Sequence, residues 1–60
     1  MPTTEEAVYA AARLRARNRG ENETMAAVKA LDAVAILKET LSGDKYQEAL
    51  EKLYLEYSTP

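Results

Sequence analysis

Sixty residues with a net charge of −2, 47% apolar side chains, and no cysteine or histidine make one domain at most, residues 1–60. The same composition rules out a disulfide and removes the usual ligands of a structural zinc. Eleven of the apolar residues are alanine, and Trp and Phe are absent, so any core is thin. A domain of this size buries only about 60% of its unfolded surface. Without a disulfide or a metal, self-association is the natural remedy.

Helix 1 is expected over residues 4–19. Thr3-Thr4-Glu5-Glu6 reads as a capping box, with Thr3 as N-cap and Glu6 reaching back to it. Ala7, Val8, Ala11 and Leu14 form the expected inner stripe, with Tyr9, Ala12, Arg13 and Ala16 beside it. Gly20 suits a left-handed residue that closes the helix. Asn22 and Thr24 are both candidate caps for the next one. A lone glycine costs only about 1 kcal/mol inside a helix, so a continuous rod through Gly20 is the alternative to two helices. The turn-forming Gly20-Glu21-Asn22 weighs against it. Asn22-Glu23-Thr24 also matches an N-glycosylation acceptor, which is read as a chance match.

Helix 2 is expected over residues 23–41 and is the longest apolar run. Ala27, Ala30, Leu31, Val34, Leu37 and Leu41 share one side of the helical wheel, with Val28 and Ala35 at its edge. Asp32 and Glu39 lie opposite, near Lys29 and Thr40, with Lys29 expected to pair with Asp32. Met25 and Ile36 point into that polar side. A helix patterned in this way is expected to form the centre of the domain and also an oligomer seam.

Ser42-Gly43-Asp44 reads as a stop and restart, with Gly43 ending helix 2 and Asp44 capping helix 3 through a reciprocal Gln47. Helix 3 is expected over residues 45–57, with Tyr46, Ala49, Leu50, Leu53 and Tyr57 as its inner stripe. Leu55 falls outside it. Glu48 and Lys52 are spaced for an i,i+4 pair, and Ser58-Thr59-Pro60 reads as a frayed tail. Gly43-Asp44, Tyr46, Ala49-Leu50 and Pro60 resemble the second helix of a tetratricopeptide repeat over less than a third of the chain. Lys45 interrupts the usual Gly-Asp-aromatic order, and one repeat cannot bury a solenoid core. The segment is therefore read as a generic well-capped helix.

The expected fold is all-α: a small three-helix domain with helix 2 covered by the other two, assembling as a homo-oligomeric bundle. No His or Cys serves for acid–base or nucleophilic chemistry, and Ser42 and Ser58 have no nearby base in sequence. No phosphate loop or Ca²⁺ loop is present. The chain is read as a non-enzymatic interaction or regulatory protein with no catalytic residue, metal or cofactor. No signal pattern and no run of about 18 apolar residues is visible, which leads to the expectation of a cytoplasmic protein without a membrane partner.

Two groups of residues are candidates for contact. Met25, Val28, Ala35, Ile36, Tyr54 and Leu55 are the candidate oligomer or partner interface, since tyrosine and unexplained apolar side chains mark such surfaces. Arg13, Arg15, Arg17 and Arg19 are candidates for binding an anion or an acidic partner. They contain all the arginine of the chain, and the remaining four lysines against ten acids leave −6 elsewhere. A nucleic-acid-binding protein using this block is the alternative function. However, Arg13 and Arg17 share one side of the wheel, with Arg15 and Arg19 about 160° away. The four therefore straddle the helix, which favours capping the helix dipole and pairing with acids of helix 3 or of a second chain.

Overall fold

The computed structural model describes residues 3–59, which form three α-helices: α1 (Glu5–Asn18), α2 (Glu23–Thr40) and α3 (Gly43–Ser58). Met1, Pro2 and Pro60, the last of them the end of the expected tail, lie outside the described residues.

The helix starts are set by short polar side chains. Thr4, one residue later than expected, caps α1, its Oγ1 accepting from the Ala7 N–H at 3.1 Å. The third residue from this cap is Ala7, so no reciprocal capping box forms. The carbonyl of Thr3 instead accepts from Gln47 Nε2 at 2.8 Å, tying α3 to the start of α1. Asn22, rather than Thr24, caps α2, accepting from the Met25 N–H at 2.9 Å. Asp44 does not cap α3: Gly43 already belongs to the helix, and Ser42 precedes it without a side-chain cap bond.

Gly20 closes α1 as its position suggests. Its φ of 71° turns the chain left-handed. The Glu21 N–H reaches the Ala16 carbonyl at 2.8 Å, and the Gly20 N–H reaches that of Arg17 at 3.2 Å. This is the paired bonding of a Schellman end, and it breaks the chain into two helices rather than one rod. Gly43 does not end α2. That helix stops at Thr40, where Leu41 turns extended, and Gly43 makes its left-handed turn (φ 58°) at the head of α3. Of the expected tail, Ser58 ends α3 and Thr59 is its C-cap. Its hydroxyl donates to the Leu55 carbonyl at 2.9 Å, and its N–H donates to that of Glu56 at 3.3 Å.

The order of the layers differs from expectation. α1 is the middle helix and packs against both others, while α2 and α3 meet only sparingly. The molecule measures 35 × 21 × 14 Å, so the helices lie nearly side by side. The cause is in the side chains. Val8, Ala12 and Ala16, spaced by four, are buried along α1, and small residues at helix crossings let neighbouring backbones approach closely, where contact density replaces side-chain area. The buried line thus runs between the two stripes expected for α1, and Leu14 is left 55% exposed. α2 buries only Ala30 and Val34, and α3 buries Leu50. Val8, Val34 and Leu50, one from each helix, form the core, with Tyr9, Tyr46, Leu53, Tyr54 and Tyr57 packed against it. The amphipathic stripe expected for α3 is therefore the one that packs.

One polar group joins all three helices. Glu5 of α1 pairs with Lys38 of α2, Oε1 to Nζ at 2.9 Å, and accepts from the Tyr46 hydroxyl of α3 at 2.9 Å. α1 and α2 are thus antiparallel, and α1 and α3 parallel. The Lys38 ammonium first, then the Tyr46 hydroxyl, hold the Glu5 carboxyl below its ordinary value of 4.5. Glu5 in turn raises Lys38. Burial, followed by the bond to Glu5, pushes the Tyr46 phenol up to about 12.

Stability follows from these signs. The lowered Glu5 contributes above the carboxyl value of the unfolded chain, and its share is lost as pH falls through the folded value. The raised Tyr46 contributes below pH 10, and its share is lost as pH rises toward about 12. Thermal midpoints from circular dichroism should therefore drop below pH 4.5 and above pH 10. Glu5→Gln should flatten the acid side of the profile and Tyr46→Phe the alkaline side. Unchanged profiles in both variants would remove this group from the account.

Candidate interaction surface

α2 has one well-packed neighbour, and the rest of its wide apolar arc stays open. Met25 is 56%, Val28 48%, Leu31 54% and Ile36 60% exposed. Ala35 is exposed as well. Met25 and Ile36, expected on the polar side of the helix, and Val28 and Ala35, expected at the edge of its apolar face, are all exposed. Leu31 was expected inside. The buried direction of α2 runs through Ala30 and Val34, and Leu31 points about 80–100° away from it. A third helix wrapped over α2 would have covered Leu31; α3 lies beyond α1 and does not. The most exposed large apolar side chains among the described residues thus fall mainly on one helix. Scattered single exposures need no explanation, but four on one helix, beside an all-alanine and valine buried line, form a surface.

Val28 and Leu31 border a shallow cleft of about 230 Å³ shared with Tyr9 and Arg13 of α1. Tyr54 and Leu55 do not join this face. Tyr54 lines a separate groove of about 520 Å³ between α1 and α3, floored by Ala7, Ala10, Ala11 and Leu14. Leu55 is 55% exposed on the side of α3 away from Leu50. The six candidate interface residues therefore divide into one surface of four on α2 and two isolated positions.

The arginines divide too. Arg15 lies over the Tyr57 ring, 4.8 Å from Cζ to its centroid, a cation–π contact. Its Nη1 donates to the Glu56 carbonyl at 3.4 Å, neutralising the C-terminal end of α3. Arg17 pairs with Glu23 at the start of α2, Nε to Oε2 at 3.4 Å. Both side chains are well exposed, and such a pair contributes about 0–1 kcal/mol. Arg13 borders the α1–α2 cleft, and Arg19 the α1–α3 groove. The block thus divides among three places, with Arg15 and Arg19 both lining the α1–α3 groove. The expected pairing with acids of helix 3 takes the form of a bond to a helix 3 carbonyl, and the acid that is paired belongs to α2.

The face opposite the core on α2 also carries Lys29, Asp32 and Glu39. Neither Lys29 with Asp32 nor Glu48 with Lys52 forms an ion pair among the described residues, where the pairs are Arg17–Glu23 and Lys38–Glu5. No group of three or more acidic or metal-binding side chains is close enough to hold a metal ion among those residues. None of the described helices is long and apolar enough to cross a membrane. Comparison with known protein families, curated proteins and solved structures finds no match.

Proposed function

We infer that this chain is a small non-enzymatic interaction protein that acts by protein–protein contact and self-associates, with the outer face of α2 as its contact surface. The observation that carries this reading is the exposure of Met25, Val28, Leu31 and Ile36 on one helix, set against a core in which three of the six buried residues are alanine. The apolar area that a 60-residue chain needs to bury is present but faces outward, where only a partner can cover it. The regulatory role and the cytoplasmic location belong to the same proposal. Nucleic acid is the weaker reading. Two of its four arginines are already engaged, Arg15 with Tyr57 and Arg17 with Glu23, and a polyanion is best met by one cationic face.

Amide NMR spectra on dilution map the surface residue by residue. Concentration-dependent shifts are expected at Met25, Val28, Leu31, Asp32, Ala35 and Ile36, with Tyr54 and Leu55 unmoved. Shifts confined to Arg13–Arg19, or to the groove around Tyr54, would place the contact elsewhere.

A further inference from the structure

We propose that two copies of this chain pair through antiparallel α2 helices about a two-fold axis that passes between Ala30 and Leu31. This rests on the reading of α2 as a self-association face and adds its register. Met25, Lys29, Asp32 and Ile36 are spaced by four, three and four and lie within about 60° of one another on the wheel. They form a single stripe opposite the buried Ala30 and Val34. The stripe is a palindrome in chemistry: apolar, charged, charged, apolar, with the two charges of opposite sign.

An isologous contact places residue i against j and j against i. When Met25 of one copy lies across from Ile36 of the other, Lys29 automatically lies across from Asp32. Both pairs then occur twice. One antiparallel register satisfies all four residues. A parallel in-register pairing instead places Lys29 on Lys29 and Asp32 on Asp32. Two further features agree. Glu39 falls near the N-terminal end of the other copy's α2, the positive end of its dipole. The two-fold also carries Val28 of both copies to the same side of the seam, about 70° from the centre of the stripe, where it flanks the contact. Lys29 and Asp32 have no ion-pair partner among the described residues, so pairing across the axis breaks no ion pair found there. The buried Ala30 and Val34 lie on the far side of α2 from this stripe. The seam spans about 16 Å of helix from Met25 to Ile36, shorter than a standard interface provides, and the dimer is accordingly concentration-dependent.

Charge exchange tests the register. Lys29→Asp leaves two acids in the stripe, and Asp32→Lys leaves two bases. Each alone should self-associate about tenfold more weakly than the unaltered chain in sedimentation equilibrium. An equimolar mixture of the two should recover association, since every facing pair is then of opposite sign. The double variant Lys29→Asp/Asp32→Lys should recover it in one chain; in a parallel seam, where like charges already face each other, neither single exchange would weaken association. All four positions are exposed, and circular dichroism is to show that each variant keeps its helices before association is compared. A dimeric chain whose association is indifferent to these exchanges would overturn the register and leave self-association standing. A chain that is monomeric before any exchange would overturn both.

Discussion

Leu50→Ala should leave the domain barely folded. Leu50 is 2% exposed and is the one fully buried large side chain that α3 contributes. It meets Val8 of α1 and Val34 of α2. Truncating a buried leucine to alanine costs about 2–5 kcal/mol, the cavity included. A domain of this length has about 3–9 kcal/mol in total. The loss therefore removes a large share of the stability, and for this flat bundle no second layer exists to collapse into the cavity. Urea denaturation should show the midpoint falling by half or more, with the slope unchanged. Truncation at Leu55, 55% exposed on the same helix, should move the midpoint little. Equal losses at the two positions would contradict the core described above.

Ile36→Lys should do the reverse, preserving the fold and abolishing association. The side chain is 60% exposed in the single chain, and substitutions at such sites ordinarily change stability by within about 0.5 kcal/mol. In a two-fold dimer the same change is counted twice, once in each copy. It replaces two apolar contacts with Met25 by two buried ammonium groups, and burying an isoleucine side chain fully is worth about 1.5–3 kcal/mol. The dissociation constant should weaken by at least about 100-fold. The melting temperature of the unaltered chain should rise with concentration, as linkage to a dimer requires, and that of Ile36→Lys should not. An Ile36→Lys variant that unfolds even when dilute would mean that Ile36 belongs to the fold of one chain.

Much of this fold is legible in the sequence, and the part that is not has a specific cause. Helix ends are written in local chemistry: Asn22 before Glu23, Gly20 after Arg19, and Gly43 between two polar residues each mark a break. The inner stripe of α3 is legible because Tyr46, Leu50, Leu53 and Tyr57 are large and leave one reading of the wheel. α1 is ambiguous because its alanines can face in any direction, so the burial of Val8, Ala12 and Ala16 emerges only when the neighbours are placed. The exposure of Leu14 and Leu31 has the same origin. The wheel shows how wide an apolar arc is, while the number of helices that cover it is a matter of tertiary arrangement. The length of α2 suggests a central position, yet the small residues of α1 allow two close neighbours and put that helix in the middle. The outward position of Met25 and Ile36 is legible from period alone. The link from Glu5 to Lys38 and Tyr46 has no local signal, since its members come from three helices; Glu5 by itself reads only as an acid suited to a helix start.

The chemistry of the arginine block shows why composition alone misleads. Four arginines within seven positions suggest a polyanion site, but a helix distributes them around its axis. Tyr57 and Glu23 then occupy two of them. What remains exposed is not one face.

Sedimentation equilibrium of the unaltered chain, from micromolar to millimolar concentration, tests the central claim most directly. The weight-average mass should rise from 6.7 kDa toward that of two chains and stop there, since a two-fold contact closes on itself. A mass that stays at one chain over the whole range would contradict it.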